Sequence, residues 1–192
     1  ACCASSAAPP GPTTSTSSFW LKGIDTNKYV DDLADQGTLA HAMILAHLRN
    51  EKPDISDYTP KQVDGAENSF LSYLEWERGH KIEPILLEKQ LVSEIYKFGG
   101  QPDFYGLVAE TFTLLDFKTG KAIYEPEMPM QLAAYSKLIQ NCHDEAPQAW
   151  KILRIGRSAD EGFEVKEYNL ESISKHWKMF EHLLAIYYLK KS

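Results

Sequence analysis

Apolar residues recur along this chain with two spacings, one helical and one alternating or continuous over strand-length runs. From Gly37 to Asn50 the apolar positions are Leu39, Ala40, Met43, Ile44, Ala46 and Leu48, a helical pattern that ends before Pro53. Thr59-Pro60 then reads as an N-cap followed by proline at the first helical position. Val63, Ala66, Phe70 and Leu74 carry that second helix to about Arg78, with Gly79 as its stop. Ile85 to Glu94 reads as a strand with Glu88 in its middle, and Phe104 to Ala109 and Phe112 to Phe117 as two more. A helix is expected from about Met128 to Asn141, after a connection containing Pro126 and Pro129. Strands follow at Ala149 to Ile155 and Phe163 to Tyr168, around a polar loop from Gly156 to Gly162. The last helix, from about Leu170 to Lys190, is capped by Asn169 or Ser172 and turns Ile173, Trp177, Phe180, Leu183, Leu184 and Tyr187 inward. This order predicts an α/β domain with a mixed central β-sheet flanked by helices.

The middle pair of strands brings chemistry with it. If Ala109 and Glu110 form a two-residue loop, Val108 pairs with Thr111, Tyr105 with Leu114 and Asp103 with Asp116. Opposed residues of an antiparallel pair share a face, with Cβ atoms about 4.5–5.5 Å apart. Alternation along the strand adds Lys118 to that face. Two carboxylates so placed repel unless a cation lies between them or one is protonated. Hard ions such as Mg²⁺ take oxygen ligands of this kind, and a neighbouring ammonium can balance charge developing on a phosphate. Ala-Glu is a poor sequence for a tight hairpin loop, which favours Asn-Gly. The spacing therefore leaves open a plainer reading, a buried hairpin with an exposed Asp116–Lys118 ion pair.

Composition narrows the setting. The chain has 192 residues, enough to bury a core as one domain. Residues 1–18 are nearly all Ala, Ser, Thr, Pro and Gly apart from Cys2 and Cys3, and are expected to be a flexible tail. The ordered domain is expected to span 19–192, beginning at Phe19, Trp20 and Leu21. No apolar run approaches the ~20 residues of a membrane span, and no charged-then-apolar leader is expected. Three cysteines cannot form a disulfide framework, and they cannot supply the four thiolates of an iron–sulfur site. A reducing, cytoplasmic location is expected. The formal net charge is −7, awkward for tight binding to phosphates. It is uneven: residues 1–150 hold 12 basic and 21 acidic residues, and 151–192 hold 8 and 6. Lys118, Lys121, Lys137, Arg154 and Arg157 are the candidates for a basic rim guiding a strand.

Pro102-Asp103 followed by Asp116-Phe117-Lys118 resembles the signature of the PD-(D/E)xK nucleases. Asp116-Phe117-Lys118-Thr119-Gly120, then Gln131-Leu132-Ala133-Ala134-Tyr135, is similar to the RecB-like branch, and Gly37-Thr38-Leu39-Ala40-His41 matches that branch's Gly-x-x-x-His. The resemblance covers roughly residues 37–140. The layout of Glu88, Gly99-Gly100, Asp103, Asp116 and a tryptophan-bearing last helix also resembles phage exonucleases and the mitochondrial genome-maintenance exonuclease.

The resemblance implies a restriction-endonuclease-like core and a Mg²⁺- or Mn²⁺-dependent deoxyribonuclease. The implied activity is that of an exonuclease acting on single strands or duplex ends in DNA processing, repair or recombination. In that reading His41, Asp103, Asp116 and the Phe117 carbonyl hold the metal. Glu88 supports them or holds a second ion, Lys118 serves the attacking water or the phosphate, and Gln131 and Tyr135 secure lysine and substrate. Other recombination or replication proteins are implied as partners. Alternatives are an RNA endonuclease of the same fold, a non-catalytic interaction module, and a metal-free α/β domain with chance matches. His47 lacks such a match and reads as structural, as do Tyr73 and Trp76.

Overall fold

The computed structural model describes residues 26–191. The expected tail over 1–18 and the expected start at Phe19 to Leu21 lie outside them. The described residues form four helices and seven strands. Helices α1 (Thr26–Leu48) and α2 (Pro60–Glu77) come first, followed by strands β1 (Ile82–Leu87), β2 (Leu91–Ser93), β3 (Phe98–Gly100), β4 (Phe104–Val108) and β5 (Thr111–Lys118). Helix α3 (Glu127–Cys142), β6 (Ala149–Ile155), β7 (Phe163–Tyr168) and α4 (Leu170–Leu189) complete the order.

Five strands make one mixed sheet in the order β1-β4-β5-β6-β7. Only β5 and β6 run parallel, and the crossover between them contains α3, as a parallel connection requires. Side-chain alternation along β5 divides the core in two. Leu114 joins Tyr105, Trp150 and Ile152 under α3 and α4, with Leu132, Leu138 and Trp177. Leu115 and Phe117 point the other way and pack with Phe104 and Leu153 under α1 and α2, against Ile44, Tyr73 and Trp76. The mixed sheet with helices on both faces is thus as the residue pattern predicts. Trp150, buried on β6, donates its indole N–H to Ser136 on α3 at 2.9 Å, which satisfies both polar groups of that contact.

Local signals explain most boundaries. Thr59 and Gln62 form a capping box at the start of α2, and the Asn169 carboxamide accepts from the Ser172 N–H at the start of α4. Helix α1 begins at Thr26, well ahead of the expected Gly37, because the polar stretch before Leu39 contains no breaker and Gly37 is accommodated inside the helix.

One expected element is overturned. The single strand expected over Ile85 to Glu94 is two strands in two different sheets. Strand β1 ends at Leu87, Glu88 takes a left-handed φ of 47°, and β2 pairs with β3 in a separate two-stranded ribbon. The polar run Glu88-Lys89-Gln90 breaks the strand, and the apolar residues on either side serve different packing surfaces. Tyr188 on α4 donates its hydroxyl to the Lys97 carbonyl in the ribbon's turn, fastening ribbon to helix.

Candidate metal centre

The β4–β5 hairpin has the expected register, with Val108 opposite Thr111, Tyr105 opposite Leu114 and Phe104 opposite Leu115. Its loop is Ala109-Glu110, with φ of 49° and 65°. A type I′ turn requires positive φ at both positions, so two ordinary residues accept the conformation that Asn-Gly would adopt more easily. Asp103 lies one residue beyond the ladder. Its Oδ2 accepts the Phe117 N–H at 2.8 Å, which aims the carboxylate at the end of β5.

Asp116 is only 1% exposed. Lys118 Nζ stands 2.6 Å from its Oδ2, yet no well-directed hydrogen bond satisfies that buried oxygen. Lys118 instead donates to Gln131 Oε1 at 2.9 Å, and Gln131 Nε2 donates to the Tyr135 hydroxyl at 2.9 Å. Gln131 and Tyr135, four apart on α3, therefore form one chain with Lys118 and Asp116, as the shared helical face predicts.

On the other side of the carboxylates, α1 presents His41, whose Nδ1 is 3.8 Å from Asp103 Oδ1. The imidazole stands edge-on to the Phe117 ring, with centroids 5.9 Å apart. Glu88 comes from the break after β1, and its N–H donates to the Asp103 carbonyl at 3.1 Å. His41, Glu88 and Asp103 each offer one ligand atom, and the three atoms lie within 4.8 Å of one another.

No family model matches this chain, and no curated protein matches it. Two solved structures are similar. A protein from Eubacterium rectale designated an exonuclease shares 9% identity and a TM-score of 0.48, over 77% of this chain and 64% of that one. An alkaline exonuclease from Laribacter hongkongensis shares 16% identity and a TM-score of 0.40, over 83% of this chain and 89% of that one. This chain thus spans less than two thirds of the Eubacterium protein. At such values the likeness says nothing about chemistry, which rests on the residues themselves.

Burial dominates the electrostatics of these residues. Burial raises the Asp103 carboxyl above the ordinary aspartate range, against the opposing Phe117 N–H and Lys118 charge. Burial also raises Asp116, and the negative charge of Asp103 adds to it, with Lys118 and His41 opposing. Burial lowers the His41 imidazole, countered partly by Asp116, so it is neutral at pH 7 and can offer a lone pair. The His41 imidazole with the Glu88 and Asp103 carboxylates, and the buried Asp116 carboxylate close by, suit a hard divalent ion. The donor set therefore fits Mg²⁺ or Mn²⁺.

The remaining expected residues divide. The Phe117 N–H is committed to Asp103, while its backbone also reaches His41. The five candidate rim cations do not act alike. Lys121 and Arg157 line one pocket with Thr119, whereas Arg154 binds Glu164 at 3.1 Å and Lys137 lies over the Trp177 ring. His47 is held by Glu77 at 2.7 Å, away from the cluster, in keeping with its structural reading. Two glycines that the sequence motifs contain turn out to act through their missing side chains. A Cβ on Gly100 would stand 2.7 Å from the Tyr135 ring, so the absent side chain lets Tyr135 lie against β3. A Cβ on Gly37 would stand 2.7 Å from Thr119 Oγ1, so α1 can approach the end of β5 closely. The Gly99-Gly100 doublet was the available signal for the first.

Proposed function

We propose that this chain is a divalent-metal-dependent deoxyribonuclease of the PD-(D/E)xK class, an exonuclease hydrolysing phosphodiester bonds of single strands or duplex ends in DNA processing, repair or recombination. The observation that carries this reading is the buried Asp116 carboxylate paired with Lys118 at 2.6 Å, adjoining the His41–Glu88–Asp103 group. His41, Asp103 and Asp116 would hold Mg²⁺ or Mn²⁺, with Glu88 beside them and the Phe117 carbonyl as a further oxygen donor. Bound there, the ion would polarise the scissile phosphate and lower the pKa of water.

The chain's own residues supply the rest. The carboxylates of Asp103, Asp116 and Glu88 define the acidic pole of the site, with the neutral His41 imidazole offering a lone pair beside them. Lys118 Nζ, held between Asp116 and Gln131, would orient the attacking water or balance charge growing on the phosphate. Gln131 would keep the lysine pointed at the reacting bond, and Tyr135 would keep Gln131 in the correct amide orientation, since its hydroxyl accepts from Nε2. Exonuclease action is supported by the motif resemblance alone, so the test must separate end from internal cutting.

End-labelled linear and closed circular DNA, single- and double-stranded, with matched RNA, should be incubated with Mg²⁺, Mn²⁺ or chelator. The expected result is ion-dependent release of nucleotides from linear DNA, with circles spared. No cleavage with either ion, or cleavage indifferent to chelator, would overturn the metal-nuclease reading. Faster cutting of RNA would reassign the substrate.

A further inference from the structure

Beside the metal centre, on the far side of Tyr135, lies an open groove of about 300 Å³ between β3, α3 and α4. That size is at the lower end of small-ligand pockets, which run from roughly 300 to 1,000 Å³. Gln131 and Tyr135 belong to both places, closing one end of the groove and completing the hydrogen-bond chain to Lys118 at the other. The bottom is the bare backbone of Gly99 and Gly100. One wall is aromatic: Phe98 and Phe180 meet edge-on with centroids 5.0 Å apart, and Trp177 braces both, at 6.0 Å and 5.8 Å. Met130 adds a polarisable thioether to the lining. The charged residue of the lining is Glu127, at the exposed rim.

We infer that this groove is a nucleobase subsite, seating one unstacked base of the strand whose phosphate reaches the metal centre. The inference rests on the nuclease reading and deepens it. Of a nucleotide's parts, a phosphate is repelled by Glu127 and finds no cation in the groove. A base finds aromatic and thioether surface, with polar edges supplied by Gln131, Tyr135 and Glu127. Continuity through Gln131 and Tyr135 places that base next to the bond to be cut rather than on a remote surface. The acidic balance of the chain points the same way. With a net charge of −7, less of the affinity for a strand can come from phosphate contacts, and base–aromatic stacking is the sequence-tolerant alternative.

The test uses single-stranded oligonucleotides in which one abasic residue is moved along the strand. With the full chain and Mg²⁺, an abasic residue at one position beside the cleaved bond should raise KM about 10-fold, the usual scale of one base–aromatic stack. Phe180→Leu should raise KM for the intact strand by a similar factor and should no longer distinguish the abasic strand, the signature of a coupled pair. Phe98→Leu, on a different element, should do the same, and unchanged melting temperatures for both variants would separate the effect from misfolding. Binding is read independently by 2-aminopurine placed at that position, whose fluorescence should quench with the wild type and not with Phe180→Leu. Equal KM at every abasic position, or quenching that survives both variants, would overturn the subsite. Quenching without any cleavage would remove the nuclease reading and leave the base site standing.

Discussion

Lys118 holds its ammonium between the Asp116 carboxylate and the Gln131 carboxamide oxygen, so its charge is positioned from two sides. Lys118→Ala should cut the rate by at least about 10²–10³-fold, the scale for losing one transition-state charge. Metal affinity, measured by calorimetry, should remain; loss of binding would mean that the lysine shapes the ion site instead. Asp103→Asn should behave in the opposite way. It relieves repulsion among buried acids, so the metal-free protein should melt no lower than wild type, while the rise in melting temperature with Mn²⁺ should vanish. A preserved rise would take Asp103 out of the ligand set. Gly100→Ala tests a residue outside the metal centre that acts through Tyr135. The added methyl would press on the Tyr135 ring, loosening the grip on Gln131, and kcat should fall with no change in metal affinity.

At the scale of elements, the tight hairpin carries the site and is held in an unfavourable turn. Each non-glycine residue in the left-handed region costs on the order of 1 kcal/mol, and Ala109 and Glu110 both occupy it. The paired replacement Ala109→Asn with Glu110→Gly should therefore raise stability by about 1 kcal/mol in urea unfolding. An unchanged midpoint would show the turn to be relaxed by its surroundings. The same reasoning applied to α2 gives the opposite sign. Thr59→Ala removes one half of a capping box and should cost about 1 kcal/mol.

For the molecule as a whole, the site is an electrostatic liability that an ion would relieve. Because burial raises Asp103 and Asp116 in the folded state, the fold binds those protons more tightly than the unfolded chain does. That contribution is fully present below the ordinary aspartate range and is lost as pH rises toward neutrality. The metal-free protein should lose melting temperature across that interval, and a divalent ion should restore more of it at the upper end. At 100 times its dissociation constant, an ion binding only the folded state adds about 2.7 kcal/mol. A flat profile, with or without metal, would contradict the carboxylate cluster. Among the described residues no helix is long and apolar enough to cross a membrane.

Periodicity alone places β4, β5, β6, β7, α2 and α3 nearly to the residue, because each buries a stripe or face whose spacing is local. Helix α4 has the expected bounds but buries only its first half, at Ile173 and Trp177, while Leu183 and Tyr187, expected inward, are exposed. The same local rule puts Asp103, Asp116 and Lys118 on one face and Gln131 and Tyr135 on one turn of α3. It fails at Glu88, where two short apolar runs on either side of a polar triplet serve two sheets. No local pattern records which surface each run will cover. It is equally silent on His41 and Asp103, 62 positions apart in the chain, whose approach depends on α1 packing closely over the end of β5. Side-chain periodicity is a property of neighbouring residues, whereas convergence from α1, the β1 break and the hairpin exists only once the layers have packed.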